Sequence, residues 1–267
     1  MAEGFGYFGG IDFSGAKEPL SNLWTAVGEE REGRLCITTI RPHAFRADLA
    51  AYVAEGWRND SRTGTILWGA DFPFGLPTEV GLAIGAGSDW GAVAAWVADR
   101  PPDEIRSLAG DASRALRRTE AGAGAMPPLD LRLYKQTAEG IRWLHELREE
   151  YEIAIEPQAR QPGASATLIE VYPSGTAQEL GLPRRRSPSR PGEVRARAAA
   201  LRTYLDFEHR DAEALAITLE DAWDATLACL TAYLCRDDLQ QPYRTLEPPH
   251  DGLRCEGWIY RPPASLA

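Results

Sequence analysis

Two apolar runs in this chain end in the same way. "YFGGIDFSG" and "ILWGADFPFG" each run through Gly-apolar-Asp-Phe, at Asp12 and at Asp71. An unbroken apolar run bounded by turn signals is the pattern of a strand buried on both faces. A carboxylate at the end of such a strand is costly to bury unless something pairs with it. Two strands with one shared ending predict neighbours whose carboxyl ends meet at a single sheet edge. In open α/β sheets, ligands bind at that edge.

The remaining strands are predicted around this pair. "SNLWTAVGEE" and "GRLCITTIRP" read as a second and third strand joined by a polar turn in "GEEREG", giving a three-stranded antiparallel meander. "AFRADLAAYVAEGWRND" reads as a helix, because Phe45, Leu49, Tyr52, Val53 and Trp57 recur at helical spacing. "GTILWGADFPFGLP" is the fourth strand, with Pro73 ending its ladder just past Asp71. "ATLIEVYPSG" is the fifth. Residues 76–165 read as a mainly helical insertion after the fourth strand, with a strong helix in "LDLRLYKQTAEGIRWLHELREEY" and a short strand in "EIAIEP". "EVRARAAALRTYLDF" is expected to be helical throughout, and "CEGWIYRPP" to add a short strand. The expected fold class is therefore α/β: one domain over residues 1–267, with a mixed five-stranded sheet flanked by helices.

The last helix, in "TLEDAWDATLACLTAYLCRDD", carries the third element of the argument. Ala225, Ala228 and Ala232 form one stripe, and Asp221 and Asp224, spaced i, i+3, share a face at its head. If the stripe lies on the sheet, these aspartates reach the edge that holds Asp12 and Asp71. Glu170, within "LIEVYP", is a fifth candidate. Carboxylates that converge repel one another, and divalent cations remove the problem. Mg²⁺ and Mn²⁺ favour such oxygen ligands. Two such ions can activate water and stabilise the leaving oxygen of a phosphodiester. Each acid also has an ordinary use: capping a helix for Asp221, closing the "DFSG" turn for Asp12, pairing with a buried arginine for Asp71, or facing solvent for Glu170.

Composition narrows the classes. A formal net charge of -10 argues against a chain that binds polyanions by its overall charge. Cys36, Cys229, Cys235 and Cys255 form no C-x-x-C pair and no Cys–His ligand spacing, so reduced thiols and a cytoplasmic location are expected. No segment approaches the roughly 18 apolar residues of a membrane span, so no membrane partner is expected.

The order of elements resembles the RNase H-like fold, and "DAWDATLACLTA" resembles the terminal helix of RuvC-type Holliday-junction resolvases. More closely, "GIDFSGA", "ADFPFGLP", "EVYPSG", "DATLACLTAYL" and "EGWIY" together resemble domain-of-unknown-function family 429, described as predicted nucleases of RNase H fold. The resemblance implies Asp12, Asp71 and Asp224 as ligands of Mg²⁺ or Mn²⁺, two ions in all, with Asp221 completing the site. It assigns no certain role to Glu170. The RuvC-like pattern carries Glu where this chain has Asp71, and the shorter side chain would draw the metal nearer the strand. Lys17, and Arg117, Arg118 and Arg185 in the local clusters "RALRRTE" and "PRRRSPSR", are candidate phosphate contacts, or else solvated surface. The expected activity is metal-dependent hydrolysis of phosphodiester bonds in DNA or RNA. The competing readings are a phosphotransferase of actin and sugar-kinase ancestry, and a non-catalytic protein that retains the fold.

Overall fold

The computed structural model describes residues 4–16, 22–58, 63–87, 89–183, 190–240 and 252–263. Its sheet runs in the order β5-β6-β4-β1-β2-β3-β7, with β8 also paired to β6. The five expected strands are β1 (Tyr7–Asp12), β2 (Leu23–Arg31), β3 (Arg34–His43), β4 (Ile66–Asp71) and β6 (Ala166–Val171). Three short strands extend it to eight: β5 (Ala154–Glu156), β7 (Leu205–Phe207) and β8 (Ile259–Tyr260). β1, β2 and β3 are antiparallel, and β4, β6 and the short strands join in parallel. The β2–β3 hairpin turns on Glu32 and Gly33, both at positive φ. That two-residue geometry matches the twist of paired strands.

The helices among the described residues are α1 (Arg46–Ala51), α2 (Thr78–Ala83), α3 (Trp90–Ala98), α4 (Pro102–Ala109), α5 (Arg118–Ala123), α6 (Tyr134–Tyr151), α7 (Pro173–Glu179), α8 (Pro191–Tyr204), α9 (Arg210–Thr218), α10 (Glu220–Cys235) and α11 (Gly252–Glu256). The helix expected over 44–60 is α1 continued by a π-turn at Tyr52–Gly56. Between β4 and β6 lie α2 to α6 and the strand β5, in the segment read as the insertion. One expectation is corrected: the helix read through Phe207 stops at Tyr204. Leu205 turns to extended backbone and pairs with Leu35 on the otherwise open edge of β3. Arg34 Nε holds the new strand by donating to Asp206 Oδ2 at 2.8 Å. Edge pairing and the buried Leu205 outweigh local helix propensity here.

Strand alternation divides the core in two. Ile11, Trp68, Ala70 and Leu168 face the insertion, where Trp143 and Leu144 of α6 meet them. Phe8, Leu67, Ile169 and Val171 face α10. The contact with α10 is unusually close, and the reason lies in the opening motif. Gly10 and Gly69 are register partners, each two residues before its aspartate. A Cβ on Gly10 would lie 1.9 Å from the Ala225 carbonyl oxygen, and one on Gly69 would lie 2.5 Å from that of Ala228. The glycines let the alanine stripe rest directly on the strand backbones. Gly10→Ala is therefore expected to destabilise the fold by about 2–3 kcal/mol, through backbone displacement in a packed core. Urea denaturation measures it; a change below about 0.5 kcal/mol would show that α10 is not seated on Gly10.

Candidate metal centre

Asp12 and Asp71 stand side by side, because β1 and β4 run parallel with these residues as register partners. Alternation turns both toward the face that α10 covers, as it does Gly10 and Gly69. Asp224 comes down from α10, one residue before the Ala225 whose carbonyl meets Gly10. The result is a cluster in which carboxylate oxygens of Asp12, Asp71 and Asp224 all lie within 4.8 Å of one another. Asp12 and Asp224 are buried and Asp71 is half-buried.

Oxygens bound to one Mg²⁺ at about 2.1 Å are at most about 4.2 Å apart, so small side-chain rotations would close the cluster on an ion. The donor set fits a hard divalent cation, since no cysteine or histidine is found among the described residues lining the cleft. Asp221 sits one turn before Asp224 on the cleft wall, without joining the close cluster. It does not close a capping box. Thr218 ends α9 and donates to the Ala214 carbonyl at 2.7 Å, and α10 starts after Leu219 with no side-chain cap.

The segments that follow the two aspartates are fixed from the insertion side. Phe13 and Phe72, the matching Asp-Phe residues, turn to the other face and stack with ring centroids 4.6 Å apart, against Trp143. Gln136 of α6 donates from Nε2 to the Phe13 carbonyl at 2.8 Å and to the Asp71 carbonyl at 2.7 Å. One amide thus ties the β1 end to the β4 end. No sequence pattern marks this bridging role of Gln136.

Glu170 and Arg117 have roles other than those expected. Glu170 is the register partner of Ala70, so it points to the insertion side, away from the aspartates. Its carboxylate accepts from Arg117 Nη1 at 2.7 Å and from Arg117 Nη2, and its Oε2 also accepts from the Phe74 backbone N–H at 2.9 Å. Arg117 is 1% exposed, which removes it from any direct grip on a phosphate. Its remaining donors go to Glu120 and to the Glu256 carbonyl. Burial alone would lower the pKa of Arg117, but Glu170 and Glu120 together hold it above the usual value. The network pins the Phe72-Pro73-Phe74 turn that begins at Asp71. Arg118 is exposed and stands outside the cleft lining. Lys17 and Arg185 lie outside the described residues.

Two further residues emerge from the geometry. Tyr172, next to the "EV" of the motif, lines the cleft. Burial raises the pKa of its phenol, and the nearby charges of Asp71 and Asp224 push it the same way. It therefore remains a neutral hydrogen-bond donor at neutral pH. Arg197 of α8 is buried, donates to the Ile217 carbonyl at 3.0 Å and lies 4.0 Å over the Trp223 ring. Burial lowers its pKa, and Asp224 partly restores it.

The four cysteines are free and buried. No helix among the described residues is long and apolar enough to cross a membrane. A family model described as "Protein of unknown function (DUF429)" matches residues 10–247. No curated protein and no solved structure matches the chain.

Proposed function

We propose, from the premise that the chain belongs to the DUF429 family, that it is a divalent-metal-dependent hydrolase of phosphodiester bonds in nucleic acid, built on an RNase H-like core. The observation that carries this reading is the cluster of Asp12, Asp71 and Asp224 at the carboxyl ends of neighbouring strands. The antiparallel meander leading into parallel strands, with acids from the first strand, the fourth strand and the last long helix, supports the RNase H-like part.

In this reading Asp12, Asp71 and Asp224 hold Mg²⁺ or Mn²⁺, and Asp221 is available to a second ion. Bound there, the ions supply Lewis-acid stabilisation of phosphate charge and a more acidic water. Tyr172 offers its phenolic hydrogen to a phosphate oxygen, and Gln136 keeps the two strand ends at fixed spacing. Hydrolysis joins the water oxygen to phosphorus and breaks one P–O ester bond. One water proton ends on the released hydroxyl, and the other on the phosphate product or in solvent.

The test is an assay of the purified protein on structured and single-stranded DNA and RNA, with Mg²⁺, with Mn²⁺ and with chelator. Cleavage that needs the metal is the expected result. Cleavage that persists in chelator, or none on any substrate with either metal, rejects the reading.

A further inference from the structure

The cleft beside the aspartates holds about 380 Å³. That lies near the lower end for a site that encloses one small ligand. It is bounded on one side by the ends of β1, β4 and β6, and on the other by the insertion. Its acidic and basic lining among the described residues is lopsided: Asp12, Asp71, Asp221, Asp224, Glu120 and Glu170 against Arg117. Arg117 is already held by both glutamates, so it offers a ligand no uncommitted charge. The insertion adds an apolar wall of Ala125, Met126 and Leu133, and Met126 is 36% exposed.

A duplex is gripped along its length by Lys and Arg, which neutralise successive phosphates. The described cleft offers no such track. It offers one place for a phosphate, on ions held by the aspartates, and next to it an apolar wall suited to the face of a base. We infer that the substrate is a single nucleotide unit presented by a dinucleotide or by a single-stranded end, not a duplex. The inference rests on the phosphodiesterase reading for the bond broken, which is the same P–O ester bond, with the same fate of the two water protons.

The experiment compares a dinucleotide, a 20-nucleotide single strand and the matching duplex with Mn²⁺, over a KCl series. The dinucleotide and single strand should be cleaved with kcat/KM within about tenfold of each other, and the duplex at least about a hundredfold less well. Log kcat/KM should fall with log salt at a slope shallower than about -1, the signature of one phosphate contact or fewer. Met126→Ser, which removes apolar surface without adding charge, should raise the dinucleotide KM about tenfold and leave the Mn²⁺ titration midpoint unchanged. Duplex cleaved as well as the dinucleotide, or a slope steeper than about -3, overturns the inference while leaving the phosphodiesterase reading intact. If nothing is cleaved, that reading fails, and thermal shift decides the inference separately. Stabilisation of the Mn²⁺-loaded protein by the dinucleotide and not by the duplex supports it; no stabilisation by the dinucleotide overturns it.

Discussion

Asp71→Asn should abolish the stabilisation of this protein by Mn²⁺ and lower hydrolysis by on the order of 10²- to 10³-fold, yet raise its melting temperature without metal. The two effects have one cause. Three carboxylates with oxygens within 4.8 Å of one another repel in the absence of a cation. At that spacing each pair costs about 1 to 3 kcal/mol, taking the effective dielectric between that of a protein surface and that of water. Removing the charge and keeping the shape relieves part of this, worth a few degrees in a chain of this size. The same change removes a ligand, so the cation no longer repays the repulsion by binding the folded state. Melting curves of wild type and variant with and without Mn²⁺ read both effects. A variant that melts lower than wild type without metal would assign Asp71 to holding the fold, and the metal-centre reading would fail. Asp12→Asn should behave alike, since its Cα is the register partner of Asp71.

Arg117→Met is expected to cost about 3–5 kcal/mol, because it strands two buried carboxylates, Glu120 and Glu170, without their cation. For a chain of this size that corresponds to a fall in melting temperature of about 10 °C. The pH dependence identifies the mechanism. Burial already raises the pKa of Glu120, and Arg117 is the main influence pulling it back. Without the arginine, the folded-state pKa rises further above the unfolded value. Stability is then fully present only below the unfolded pKa, and is lost as pH rises through the folded one. The gap between variant and wild type should therefore narrow on acidification from pH 7 toward 4.5. A constant gap would mean that Met merely packs badly. Mn²⁺ affinity should fall as well, because the same network holds the turn after Asp71 through the Phe74 N–H.

The centre was legible in the sequence where its information is local. The shared Gly-apolar-Asp-Phe ending announced the pairing of Asp12 with Asp71, and the alanine stripe announced a helix pressed on the sheet. What escaped depends on register between segments far apart in the chain. Glu170 could be placed on a strand, but its face follows from pairing with Ala70 rather than with Asp71, and nothing near Glu170 encodes that choice. Arg117 sits in "RALRRTE", a stretch that reads as surface; its burial follows from partners 53 residues ahead and, at Glu256, 139 residues ahead. Leu205–Phe207 carried a helical pattern, and only the vacant edge of β3 makes it a strand. Tyr172 stands inside the "EVYPSG" motif, but neither it nor Gln136 shows its part in the sequence, since a neutral side chain acquires that part here from what stands beside it.

The threading of the chain through this centre has a consequence for biosynthesis. Asp12 leaves the ribosome before Asp224, which follows about 10 to 40 s later at ordinary elongation rates. The closing pieces come later still: Glu256, which supplies a carbonyl to Arg117 and a carboxylate to the Thr78 N–H, and β8, which pairs with the end of β6. A nascent or prematurely terminated chain that stops before α10 carries Asp12 and Asp71 but not the third carboxylate. The three-carboxylate cluster therefore cannot assemble until α10 has been made, long after β1 and β4.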